Sequence, residues 1–132
     1  WSQTITEYLS PILSLPAIGQ GALGIEGRTS DAFVRSVLSR LNHQVTHTTV
    51  TAERAFLHRL EGGCQVPIAA HATLSGEQLV LDGLVATVDG KTVLRDQIEG
   101  TGQQAHALGI QLAERLLTRG GDKILREIYG SA

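Results

Sequence analysis

Two short turn signals, Ser75-Gly76-Glu77 and Asp89-Gly90, separate three runs that read as β-strands. After Pro67, Ile68, Ala70, Ala72 and Leu74 alternate with Ala69, His71, Thr73 and Ser75, the period-2 pattern of a half-buried strand. Gln78 to Val88 is rich in Leu and Val, and Val93 to Glu99 forms the third run. Connections this short cannot carry a crossover, so the three strands must be antiparallel neighbours. Asp-Gly is also a good hairpin pair, because both residues tolerate a positive φ. Any fold for this chain therefore contains a three-stranded antiparallel meander.

Helical patterns flank the meander. Thr101-Gly102-Gln103-Gln104 fits a capping box, and Ala105, Leu108, Gly109, Leu112, Ala113 and Leu116 then form one apolar stripe. Gly120-Gly121 closes that helix, and Asp122 is expected to cap a last short one with Ile124, Leu125, Ile128 and Tyr129 inside. On the other side, Thr51 is expected to cap a helix with Glu53 in its first turn, where the helix dipole favours an anion. Ala52, Ala55, Phe56 and Leu60 would be its buried face, and Gly62-Gly63 its end. The fold class expected is α+β: a three-stranded antiparallel sheet covered by helices on one face.

The first fifty residues read differently. Ile5, Leu9, Ile12 and Leu13 suggest a weak helix from Ser2 to Leu13, interrupted by Pro11 and stopped by Pro16. Ala17 to Glu26 suggests a strand whose glycines allow a close approach. Ser30 and Asp31 can cap a helix carrying Phe33, Val34, Val37, Leu38 and Leu41 on one face. Gln44 to Val50 is Thr-rich and reads as a connection. A boundary near it divides the chain into residues 1–50, which read as a strand and a helix, and residues 51–132. The chain contains no methionine and opens at Trp1 in what reads as mid-helix, so a piece of a longer protein is expected.

Composition narrows the function. The chain has 132 residues, is 42% hydrophobic and 18% charged, and so can bury a core. A net charge of −2 gives no basic field for nucleic acid or an anionic membrane. Aromatics are 4%, too few for base stacking, and no apolar run spans a bilayer. One cysteine makes neither an internal disulfide nor a cysteine-rich zinc site, and suggests a reducing, cytoplasmic compartment.

That cysteine, Cys64, lies between two glycines and a polar glutamine, with Pro67 three residues on. The plain reading is a small buried hydrophobe. The context fits a thiol presented on a loop, and a thiol that reacts once fits as well as one that turns over. Gly19-Gln20-Gly21 is either a turn or a backbone that lets a ligand approach, with Gln20 offering an amide. It lacks the lysine and Ser/Thr of a phosphate loop. His43 and His47, four apart, lie in a segment without a zinc motif, so no metal is expected. His58, His71 and His106 read as surface or half-buried residues. Arg28, Arg35, Arg40, Arg54 and Arg59 read mostly as solvated or paired with Asp31, Glu26 and Glu53.

The segment Ala52-Glu53-Arg54-Ala55-Phe56-Leu57-His58-Arg59-Leu60-Glu61-Gly62-Gly63-Cys64-Gln65-Val66-Pro67-Ile68 resembles the cofactor-attachment segment of the hydroxymethylbilane synthase family, also called porphobilinogen deaminase. Leu15-Pro16-Ala17-Ile18-Gly19-Gln20-Gly21-Ala22-Leu23-Gly24-Ile25-Glu26 resembles the same family's strand that returns between domains. The resemblance covers nearly the whole chain and places it at the family's C-terminal end.

The resemblance implies a cytoplasmic transferase of tetrapyrrole and heme biosynthesis. Such an enzyme joins four porphobilinogen units into hydroxymethylbilane and releases ammonia at each addition. It implies a dipyrromethane cofactor held by Cys64 as a thioether, formed when a soft thiolate meets the electrophilic methylene left by loss of ammonia. Gln20, Gly21 and Ala22 would lie by the cofactor cleft. Residues 1–50 would be the end of the second domain and the return segment into the first. Residues 51–132 would be the cofactor-anchoring domain. The family's catalytic aspartate matches nothing here: Asp31, Asp82, Asp89, Asp96 and Asp122 sit in no such motif. No catalytic residue is therefore expected in this piece, and alone it should be inactive. The partners implied are porphobilinogen and the N-terminal portion of the same enzyme, with a monomer as the full-length form. Two rival readings stay open at this point. One is a catalytically inactive small α+β module that binds a ligand or partner. The other is a thiol enzyme in which Cys64 turns over.

Overall fold

The meander forms as its turns dictate. The computed structural model describes residues 2–61 and 66–130. Strands β1 (Ile68–Ser75), β2 (Gln78–Ala86) and β3 (Val93–Thr101) pair antiparallel in the order β1-β2-β3. Ser75 faces Gln78 and Ala86 faces Val93, so both turns set the register directly. At the second turn the Gly90 amide donates to the Thr87 carbonyl at 2.9 Å.

Helix α2 (Gln44–Arg59) and helix α3 (Ala105–Leu116) cover one face of this sheet. The stripe expected on α3 is buried along its whole length. It meets Ala52 and Phe56 of α2 and Ala70, Leu79, Leu81, Val85 and Ile98 of the sheet in one core. The helices also press on the strands directly, since a Cβ on Gly83 would stand 2.8 Å from the Phe56 ring. The capping box forms, with the Thr101 amide donating to Gln104 Oε1 at 3.0 Å. It starts a short 3-10 turn that leads into α3.

The chain leaves α3 through a wider turn, Leu117–Gly121, where Gly120 has φ 110. Helix α4 (Asp122–Tyr129) follows, with Ile124 and Leu125 buried. Its N-cap is Gly121. Asp122 makes no side-chain cap and accepts from Arg126 instead, because it already sits inside the first turn. Tyr129, expected inside, is exposed, with its hydroxyl donating to the Glu61 carbonyl at 2.5 Å.

Further expectations need correction. Gln44–Val50 is not a connection but the first part of α2, whose N-cap is His43. The His43 Nδ1 accepts from the Thr46 amide at 3.3 Å, so an imidazole performs what a hydroxyl was expected to do eight residues later. Thr51 lies within the helix and donates back to the His47 carbonyl at 2.6 Å.

The segment from Ser2 to Leu13 is not helical, and Ile12 and Leu13 are exposed. A short isolated helix is marginal unless its apolar side packs. Nor is Ala17–Glu26 a strand: it makes turns, and no described strand lies beside it to supply a ladder.

Helix α1 (Ala32–Leu38) does form where Asp31 caps it, with Asp31 Oδ1 accepting from the Val34 amide at 3.0 Å. Yet no residue of it is buried, and Phe33 is 77% exposed.

Candidate functional site

The glycine-flanked turn at Gly19 is fixed from below by one buried carboxylate. Glu53 sits in the middle of α2, only 5% exposed. Its Oε2 accepts from the Gly19 amide at 2.7 Å, and its Oε1 accepts from the Ala72 amide of β1 at 2.8 Å. The His71 ring stands 3.9 Å away, and among the described residues no arginine or lysine pairs with this carboxylate. A buried carboxylate is tolerated when donors meet its oxygens, and here two backbone amides from different segments do so.

Above this contact the chain makes two consecutive tight turns. The Gln20 amide donates to the Ala17 carbonyl and the Ala22 amide to the Gly19 carbonyl, each at 3.0 Å. Gly19 has φ 68 and Gly21 has φ 79, a left-handed backbone that favours glycine at both positions. Nothing lies within 4 Å of a Cβ built at either, so these glycines serve the turn and leave its outer side open. Gln20 and Gly21 are exposed and Ala22 is half-buried.

Two cavities meet at this turn. The smaller, about 240 Å³, lies over Gln20, Glu53 and His71. The larger, about 820 Å³, runs from Gly21 and Ala22 along α2 past His47, Arg54 and His58. His106 of α3 lines it as well. Gln20, Gly21 and Ala22 together line the smaller cavity, and Gly21 and Ala22 line the larger one as well. His43 and His47, expected outside any helix, are the cap and first turns of α2 and line the larger cavity. Among the described residues no three His, Cys, Asp or Glu side chains are grouped to hold a metal.

Cys64, and the Gly62-Gly63 pair expected to end the helix, lie outside the described residues. Helix α2 is closed by Leu60 and by Glu61, whose φ of 53 is unusual for a residue with a side chain. On the far side Val66 is buried, and the Pro67 carbonyl accepts from the Ala86 amide at 2.9 Å.

Arg28, Arg35, Arg40 and Arg54 are exposed, as expected. Of the acids named as their partners, Asp31 and Glu53 take backbone amides rather than arginines. Arg59 pairs with Glu114 at 2.7 Å. A pair not singled out in the sequence stands on β2 and β3: Arg95 Nε donates to Asp82 Oδ1 at 2.9 Å. The same guanidinium reaches the Ile12 carbonyl at 2.7 Å and holds the N-terminal segment. The Asp82 hydrogen bond holds the Arg95 pKa above its ordinary value.

Glu53, expected in the first turn of its helix, lies in the middle of it on the buried side. The signal was present: at three before Phe56 and seven before Leu60, Glu53 falls on the buried stripe of its own helix. A charge in that position calls for a partner.

A family model described as porphobilinogen deaminase, C-terminal domain, matches residues 47–118. The chain belongs to the porphobilinogen deaminase family. Curated relatives bearing that name agree over nearly its whole length. The protein of Pelobacter propionicus is 54% identical over 128 residues, covering 97% of this chain and 41% of its own. That of Geobacter sulfurreducens is 52% identical over 129 residues, covering 98% of this chain and 41% of its own. That of Carboxydothermus hydrogenoformans is 48% identical over all 132 residues, 42% of its own length. The chain thus spans about two fifths of these porphobilinogen deaminases. The family match includes Glu53, the flanks of the Cys64 segment and the whole sheet, and the relatives extend it to Gly19–Ala22.

Proposed function

We propose that this chain is the C-terminal portion of a cytoplasmic transferase that joins four porphobilinogen units into hydroxymethylbilane with release of ammonia. Within it, Cys64 anchors a dipyrromethane cofactor as a thioether, and Gln20, Gly21 and Ala22 face that cofactor. Residues 1–50 are the end of the second domain and the return into the first. Residues 51–132 are the anchoring domain, with α2 beginning a few residues before the boundary. The buried core supports this division, since every fully buried residue of it lies at position 52 or beyond.

The observation that carries the proposal is the match of residues 47–118 to the family's C-terminal domain, with the cysteine inside it. The local structure suits the group. The Gly19–Ala22 turn leaves its outer side open, and Gln20 presents an amide there that can both donate and accept. When bound, the dipyrromethane supplies the pyrrole end on which the tetrapyrrole is extended. The residues of this chain hold and orient it. The proton-handling aspartate implied by the family resemblance has no counterpart here, so the chain alone makes no product.

Intact-mass analysis of the full-length protein, followed by peptide mapping, tests this. The expected result is a two-pyrrole adduct on the peptide containing Cys64. Active protein with an unmodified, reversibly oxidisable Cys64 overturns it. Hydroxymethylbilane formed by the isolated chain overturns the assignment of catalysis to the remainder.

A further inference from the structure

We infer that Glu53 is a positioning residue for the reaction proposed above, locking the Gly19–Ala22 turn to the helix that leads into the Cys64 segment. The inference rests on that reading for the reaction and on geometry for the lock. Gly19 is held at both of its polar groups: its amide donates to Glu53 at 2.7 Å and its carbonyl accepts from Ala22 at 3.0 Å. The first bond ties the turn to α2, and the second closes the turn that carries Gln20 and Gly21. The other oxygen of Glu53 is bound to Ala72 at 2.8 Å, so the carboxylate itself cannot swing without releasing β1. Three segments far apart in sequence thus meet on one side chain.

The residue type follows from the donors. Two amides need two acceptors, which a carboxylate has and a carboxamide does not, since its nitrogen would face an N–H. A leucine would fill the space and satisfy neither amide. Simple burial does not explain an acid here, because burying a charge costs free energy that only these bonds offset. What the acid gains is a fixed distance between the turn that faces the cofactor and the domain that carries the anchor. Misplacement of a positioning group by about 1 Å is enough to lower turnover by orders of magnitude.

The test uses full-length protein with Glu53→Gln and Glu53→Asp. Amide exchange is followed at Gly19, Leu81 and Leu112, together with cofactor mass, kcat and KM. For E53Q, exchange at Gly19 should rise about tenfold or more while Leu81 and Leu112 change little. The cofactor mass should remain, and kcat should fall about tenfold with KM little changed. E53D keeps the charge and should fall between E53Q and the parent in both exchange and kcat. It carries the same comparison if E53Q does not fold. Equal rises at all three amides would make Glu53 a general stabiliser and overturn the inference. So would an unchanged Gly19, or a loosened Gly19 with undiminished kcat. If the parent protein has no porphobilinogen activity, the reaction assignment fails, and the exchange arm still decides whether the lock exists.

Discussion

Gly109 on α3 passes so close to Ala52 on α2 that a Cβ built on it would stand 2.3 Å from the Ala52 carbonyl oxygen. The same methyl would meet Ala55 Cβ and the Phe56 amide nitrogen, each at 2.8 Å. These are backbone and Cβ atoms that cannot rotate away. Gly109→Ala should therefore destabilise the domain by about 3 kcal/mol despite its better helix propensity. Urea unfolding measures this directly. Gly24→Ala, with nothing within 4 Å of its Cβ, is the control and should change stability by less than about 0.5 kcal/mol.

The tip of the β2–β3 hairpin should loosen in acid. Asp89 has its pKa lowered below the ordinary 3.8, first by the Thr87 hydroxyl and then by the Lys91 amide. A group with a depressed folded pKa contributes its stability above the unfolded value, and that contribution is lost as pH falls through the folded one. The tip should thus be unchanged from neutral pH down to about 4 and open below it. Amide exchange at Lys91 and Thr92 reports this, and Asp89→Asn should remove the pH dependence. A tip that opens between pH 5 and 7 would rule the carboxylate out.

The entry to α3 rests on Gln104. Its Oε1 accepts from both the Thr101 amide and the Thr101 hydroxyl, at 3.0 and 3.2 Å. Gln104→Ala leaves both without that acceptor and should cost about 1 kcal/mol. Gln104→Glu retains the acceptor and should cost little. Thermal unfolding of the two variants side by side separates loss of the cap from loss of the side chain's bulk.

Cys64→Ala in the full-length protein should abolish the two-pyrrole mass while leaving far-UV circular dichroism and the unfolding midpoint near their parental values. Both flanks carry bonds of their own: the Tyr129 hydroxyl donates to the Glu61 carbonyl, and the Ala86 amide donates to that of Pro67. A variant that unfolds would instead identify Cys64 as a small core residue.

The sheet was legible because its turns leave no choice of partner. Once Ser75 must face Gln78, every residue of β1 has its face assigned. The α3 stripe was legible for a related reason: six apolar residues at helical spacing admit one buried side. The start of α2 was hidden because its first turns carry Thr46, Thr48, Thr49 and Thr51, which favour other conformations in isolation. A histidine ring, an uncommon cap, overrides that preference. The turn at Gly19 was visible as glycines but was assigned to a strand, since nothing local says what holds it. Its holder is 34 positions away. Glu53 shows the general difficulty, in that a side chain joining three segments has no signature within any one of them.

The bond from Ala72 to Glu53 has a second consequence. β1 is an outer strand of the sheet, and outer strands offer their free amides to any extended chain that arrives. At Ala72 that offer is withdrawn, because the amide is already taken by a negative charge. A fourth strand laid along β1 would have to displace an acid from its donor and bring its own carbonyl up against it. The side chain that orders the turn therefore also guards the rim of the sheet against runaway self-association.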